Sequence, residues 1–427
     1  MPSFPDHPLR YDLANELHAR PFPAIRHASQ AAIIALKPER NAAARDRELD
    51  RAHLLALLDR HGAQHPKPGA THYTGQIGRY QLKWEQHTEF VTYMVFGEGL
   101  SDRAFDSQIW DVFPEDWMAA APGLRVTSAH FRIDEGGDED QAIAADVADW
   151  FVHESLAVSR VLDGAAIIAS DFRIDPAGHM RFALFPARST GPARIGRIIQ
   201  RLCEIETYKA MAMLGFPRAR SLNARMAEID SGLSDLLRDM TSEESPADDQ
   251  LHQLLGYATA LENLMSRSAF RFGATGAYEA IVHQRIEVLR EERFLGRQTF
   301  SEFMLRRFDP AMRTVKSTES RLRSMTDRAF RAGELLRTKV EVGRSAQNQA
   351  LLESMDRRAA LQLRLQETVE GLSVVAISYY AVSLLGYLLA PVASEFGIEK
   401  PWVTAALVLP VVLGVALMTR RIRKMVH

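Results

Sequence analysis

Cysteine is nearly missing from this chain: Cys203 is the one thiol in 427 residues. An intrachain disulfide and a multi-cysteine metal site are therefore excluded. Cys203 lies in "RIIQRLCEIETYKAMAML", a helical pattern in which a lone cysteine reads as a small core residue. Strong charge of either sign is also lacking. The formal net charge is -2, so no overall basic field points to nucleic acid. The first residues, "MPSFPDHPLRYDLANELHARPF", lack the apolar stretch and cleavage pattern of a signal peptide, so the body of the protein is expected in the cytoplasm. Phosphate-binding glycine loops, HExxH, GxSxG and CxxC are absent. Neither catalysis nor a bound cofactor is expected from these motifs.

What the chain does have is apolar sequence gathered at one end. Mean hydropathy is -0.17, too low for a polytopic membrane protein. Yet "GLSVVAISYYAVSLLGYLLAPVA", residues 371–393, carries no charge, and "PWVTAALVLPVVLGVALMT", residues 401–419, follows closely. A bilayer's hydrocarbon core needs about 20 apolar residues, so spans are expected over about 371–390 and 401–419. Arg357, Arg358 and Arg364 precede the first; Arg420, Arg421, Arg423 and Lys424 follow the second; the connector "PVASEFGIEK" holds only Lys400. This asymmetry predicts a two-pass protein of a bacterial inner membrane with both termini cytoplasmic. Trp402 stands where an interfacial aromatic belongs, and Pro410 predicts a kink.

Within the first span, Ser373, Tyr380, Ser383 and Tyr387 fall on one helical face. Two readings stand: hydroxyls joining helices, within the hairpin or between protomers of a homo-oligomer, or hydroxyls lining a watery path. No charged residue lies inside either span, so nothing argues for a proton relay or voltage sensor.

Upstream, residues 1–190 read as an α+β cytoplasmic domain with a mixed or antiparallel sheet and helices. "ASQAAIIAL", "THYTG", "GRYQLKWEQH", "EFVTYMVFGE" and "LRVTSAHFRI" have strand character. "AAIIASDFRI" and "HMRFALFP" around "DPAG" predict a hairpin. "NAAARDRELDRAHLLALLDRHG" predicts a helix with Leu54, Leu55, Leu57 and Leu58 inward, stopping at Gly62. Residues 191–309 read as helical, with a polar break at "TSEESPADDQ", a Ser245–Pro246 helix start and a helix over roughly 278–294. Asp309–Pro310 repeats that start, and no proline follows until Pro391. A long cytoplasmic helix over 310–370 is expected to run directly into the first span of the hairpin of 371–427, one helix of about 80 residues from Pro310. Its row Leu351, Met355, Arg358, Gln362, Leu365, Val369, Leu372 alternates fours and threes with two polar members. That row suits one face in a loose bundle or a polar-studded oligomer axis.

"DEGGDEDQAIAADVAD" gathers carboxylates, including Asp134, Glu135, Asp138, Glu139 and Asp140. It lacks the EF-hand pattern and reads as a solvated loop or as a regulatory divalent-cation site. Glu395 and Glu399 in the connector are solvated acids or a concentrator of cations. In "NELHARPF", Glu16 and Arg20 are spaced as a helical ion pair, and His18 is structural or a binding residue.

"HPLRYDLANELHARPFP" and "LQLRLQETVEGLSVVAISYYAVSLLGYL" resemble a bacterial family of uncharacterised membrane-anchored proteins, over essentially the whole chain. The order of parts is also similar to that of CorA-type magnesium channels: an α/β domain, helices, one very long helix entering two C-terminal spans, a short acidic loop, a basic tail. That resemblance implies an oligomer with the first span around a pore. The filter of that class reads Tyr-Gly-Met-Asn, and here the same place reads Leu385-Gly386-Tyr387-Leu388-Leu389. The expectation is an oligomeric sensing or scaffolding protein anchored in a lipid bilayer, or alternatively a CorA-like cation channel with a non-standard filter.

Overall fold

The computed structural model describes residues 6–11, 13–14, 23–135, 139–240, 246–395 and 399–426, the side chains of 393–395 and 423–426 excepted. The chain divides into two units, Met1–Ser242 with His252–Ala332, and Glu243–Leu251 with Gly333–His427.

The first unit is built on a nine-stranded mixed sheet in the order β2-β3-β4-β1-β5-β8-β7-β6-β9. Its strands are β1 (Ser29–Lys37), β2 (His72–Ile77), β3 (Tyr80–Gln86), β4 (Val91–Glu98), β5 (Leu124–Ile133), β6 (Ala157–Val161), β7 (Ala166–Ser170), β8 (Met180–Pro186) and β9 (Glu292–Arg293). Strand β1 is central and pairs antiparallel with both β4 and β5. It is buried along its whole length, which explains why residues 31–36 are a continuous apolar run and not an alternating one; Ser29, Gln30 and Lys37 at its ends are buried polar residues. Ala31 and Ile33 face one core, and Ala32, Ile34 and Leu36 the opposite one.

Two strand–helix–meander segments make eight of the nine strands, and β9 adds to the β6 edge. In each, the first strand lies beside the last strand of its own meander, β1 beside β4 and β5 beside β8. Their senses differ, since β1 and β4 are antiparallel while β5 and β8 are parallel. The second crossover helix therefore returns the chain in the direction of β5, and the two halves are not a simple duplication.

Helices cover both faces. On one lie α1 (Arg47–Arg60), α2 (Glu115–Ala119) and α3 (Asp140–Trp150). The Asp46 side chain caps the start of α1, and beyond its end Gly62 takes φ +61°, a left-handed conformation that glycine adopts without strain. Leu54, Leu57 and Leu58 are fully buried, as the pattern predicts, and Leu55 packs against the edge of that core. The opposite face carries α4 (Pro192–Met213) and α7 (Phe300–Arg307), with the adjoining parts of α6 (Ala247–Glu287) and α8 (Asp309–Glu395). Helix α5 (Gly215–Asp239) follows α4. The helices after Gly191 thus form a layer of the sheet unit: Ile195, Ile198 and Leu202 share a core with Phe131, Ile168 and Phe182. Gly196 of α4 passes the carbonyl of Pro23 so closely that an added Cβ would lie 1.6 Å from that oxygen.

Two expectations need correction. The helix expected over 278–294 is the end of α6, which stops at Glu287, and Glu292–Arg293 pair with β6 instead. The acidic run is not one loop, because Asp140 to Trp150 fold as α3, whose Ile143 and Val147 are buried against the sheet. Apolar residues at helical spacing outweigh the run's charge. Ser245, the expected cap, lies outside the described residues.

In the second unit, α8 continues through Gly343 and Gly371 without a break. Residues 341–369 are exposed all round, the row from Leu351 to Val369 included. After the connector comes α9 (Lys400–Val426), helical through Pro410. Both α8 and α9 contain stretches long and apolar enough to cross a membrane.

Candidate functional site

The β3–β4 hairpin ends in His87, Thr88, Glu89 and Phe90, closed by the His87 N–H donating to the Phe90 carbonyl at 2.8 Å. Arg45 holds this turn from below. Its guanidinium donates to the carbonyls of His87 at 2.8 Å and Phe90 at 3.1 Å, while its Nε donates to Asp50 at 2.7 Å. One buried cation thus satisfies the His87 and Thr88 carbonyls and adds a second donor to that of Phe90.

Glu89 is fully buried. Arg271 of α6 grips its carboxylate through both terminal nitrogens, with Nη1 at 3.1 Å. Lys37 Nζ lies 3.9 Å away and donates to the Pro38 carbonyl at 3.0 Å. Burial, followed by the positive charge of Arg271, lowers the Lys37 pKa against the pull of Glu89. The Tyr278 hydroxyl also bonds Glu89; burial first, then that carboxylate, raises its pKa, so it stays a neutral donor.

Above the ion pair lies an aromatic wall. His87 stacks on Phe90 at 4.2 Å and Tyr208 stacks on Tyr278 at 5.5 Å. Phe90 meets both tyrosines edge-on at 6.2 Å. These rings border a cavity of ≈ 320 Å³ whose rim carries Arg47 and Thr71. Lys37, Arg45 and Arg271 pair with Asp50 and Glu89 at the hairpin end, and Arg47 is the cation that lines the cavity. The cavity itself is thus lined by aromatic and polar side chains and one cation, Arg47, with the paired charges packed around the hairpin end.

A second polar cluster lies on the sheet. His179 stacks on Trp110 at 3.7 Å and its Nδ1 is 2.9 Å from Ser128 Oγ. His130 is buried beside it against Phe105 and Trp110. Burial and, for His130, the neighbouring His179 bring both pKa values down to about 4. Cys203 is buried in the core, where desolvation pushes its thiol pKa up and keeps it protonated.

The hydroxyl stripe separates into parts. Ser373 Oγ donates to the Val369 carbonyl of its own helix at 2.8 Å. Tyr380 and Tyr387 are 67% and 80% exposed within the chain. Ser383, Gly386 and Tyr387 line a cavity of ≈ 240 Å³ with Thr404 of the following helix. The deeply buried hydroxyl is Ser378, outside the expected stripe, and its Oγ has no hydrogen-bond partner among the described residues.

The acidic residues do not converge. Asp134 accepts from Arg132 Nε at 2.7 Å, Asp140 takes both its bonds from Arg160 at 2.8 Å, and Glu135 and Glu139 are exposed. Asp138 lies outside the described residues, as do Glu16, His18 and Arg20. No group of three His, Cys, Asp or Glu suited to a metal occurs among the described residues. Glu399 is exposed, and the side chain of Glu395 is not described.

Glu89, Arg271, Arg45 and Tyr278 escape sequence reasoning. The available signal is a charge set in apolar surroundings, as in "HTEFVTYMVF" and "SAFRFGATGAY". Nothing local says that residues 182 apart will pair.

The parts described define a class: a mixed-sheet α+β protein continued by two apolar helices of membrane-spanning length. Within it the chain belongs to the family described as protein of unknown function (DUF3422), whose model matches residues 5–426. No curated protein matches it.

Proposed function

We propose that this protein is a bilayer-anchored, oligomeric sensing or scaffolding protein whose α+β unit lies in the cytoplasm. One observation carries the anchoring. Only 11% of the apolar window of α8, and none of that of α9, is buried inside the chain. Uncovered apolar surface on that scale favours an apolar surrounding such as a bilayer. Arg357, Arg358 and Arg364 before the hairpin, with Arg420 and Arg421 after it, favour cytoplasmic ends. The exposed helix over 341–369 favours assembly with further copies, since an isolated helix gains little stability without packing. The cleft beside Glu89 makes sensing the preferred role for the first unit, and no catalytic role is assigned to it. The test of anchoring is an alkaline wash of membranes containing the full chain. The protein is expected in the pellet, and release into the wash overturns the reading.

The exposed Tyr380 and Tyr387 favour a second reading, a CorA-like cation channel with a non-standard filter. A Ser383→Cys variant in a Cys203→Ser background separates the two. Anchoring expects slow labelling by a water-soluble thiol reagent, because Leu385, Leu388 and Leu389 keep the outer end dry. Fast labelling together with ion flux in liposomes replaces the anchor with the channel.

A further inference from the structure

We propose that the cleft above Glu89 binds a small planar anion: a flat ring carrying one carboxylate or phosphate. Its volume, ≈ 320 Å³, lies within the range of small-molecule sites, about 300–1,000 Å³. The flat part is argued from the rings. His87, Phe90, Tyr208 and Tyr278 all border the cavity, and the two stacked pairs hold one another in place. Phe90 is fully buried and backs the others; the partly exposed rings of His87, Tyr208 and Tyr278, ordered beforehand, favour a ligand with a π-face, since stacking then costs little side-chain entropy.

The anionic part is argued from charge. Glu89 is satisfied by Arg271, Lys37 and Tyr278, and Asp50 by Arg45 and Gln86. Arg47 is different: it stands exposed at the rim and forms no ion pair among the described residues. Its guanidinium is a fork suited to a carboxylate or phosphate. Thr71 and Thr88 add neutral groups around the same opening. Arg47 is the one charged residue on the cavity lining, so the opening itself favours an anion over a cation.

The inference rests on reading the first unit as the sensing half, but its test is independent of anchoring, which the alkaline wash decides separately. The experiment is calorimetric titration of the full chain in detergent with three planar anions: AMP, GMP and benzoate. Adenosine supplies the ring without the charge, and inorganic phosphate the charge without the ring. At least one planar anion is expected to bind with Kd below about 1 mM, with adenosine and phosphate each about tenfold weaker or worse. Arg47→Ala should remove the advantage of AMP over adenosine. Tyr208→Ala should weaken AMP and adenosine alike by about tenfold, while Tyr208→Phe, which keeps the ring, should bind as the parent does. Unchanged melting temperatures of these variants control for folding. The proposal is overturned if none of the three anions binds below about 1 mM, if phosphate alone binds as well as AMP, or if neither Arg47→Ala nor Tyr208→Ala changes the affinity.

Discussion

Replacing Arg271 with Met leaves the carboxylate of Glu89 buried without its two-pronged partner. Glu89 has no exposure to solvent, so water cannot take over. Removing one member of a buried ion pair costs about 3–5 kcal/mol. Lys37 at 3.9 Å and the Tyr278 hydroxyl remain, which puts the loss near the lower bound, about 3 kcal/mol. The converse change, Glu89→Gln, should cost less. The Arg271 side chain keeps 16% exposure and reaches solvent, and the amide oxygen still accepts, so the loss should be about 1–2 kcal/mol. Carrying both changes should cost less than the two losses added, with a coupling of about 1–3 kcal/mol. At about 2 °C per kcal/mol for a unit of this size, the melting temperature should fall by about 6 °C for Arg271→Met and about 2–4 °C for Glu89→Gln. Thermal melts of the full chain in detergent, followed by near-ultraviolet circular dichroism at pH 7.5, measure all three. Additive losses, or a Glu89→Gln loss equal to that of Arg271→Met, would show that the pair is not the buried, mutually dependent unit described above.

Acid should destabilise the first unit through His130 and His179, whose pKa values lie at about 4 in the fold against the ordinary 6.5. Above pH 6.5 both states are neutral; as pH falls towards 4 the unfolded chain takes up protons that the folded chain refuses, so stability drops across that window and levels off below it. The loss is about 3 kcal/mol for His130 and less for the half-buried His179; urea midpoints from pH 7.5 down to 4.5 should fall, and a His130→Gln variant with an equally steep fall counts against this origin. Gly196→Ala places a methyl 1.6 Å from the Pro23 carbonyl and should cost about 1–3 kcal/mol; an unchanged melting temperature contradicts that close approach. Alkaline phosphatase joined after residue 427 should be inactive and the same enzyme inserted in the connector active, with the reverse result excluding cytoplasmic ends.

The local pattern was enough for most of the strands and for the long helix, but not for β6 or for the helix Asp140–Trp150. Alternating or continuous apolar runs located β1 to β5 and the β7–β8 hairpin, because strand residues answer to their immediate faces. The Asp309–Pro310 start and the lack of proline before Pro391 were enough for the long helix, and charge-free length was enough for the two apolar segments. Where charge and period competed, as in Asp140 to Trp150, the buried Ile143 and Val147 decided for helix. Strand order, the parallel β5–β8 join and the layering of α4 and α7 on the sheet required the tertiary structure, since strands pair through the backbone, whose groups are the same in every residue. The cleft required it most. Lys37, Arg45, Glu89, Tyr208, Arg271 and Tyr278 come from five separate stretches of chain, each charge or ring unremarkable where it stands. Only burial together removes the water that would otherwise screen them, and that loss of water turns scattered side chains into one coupled site.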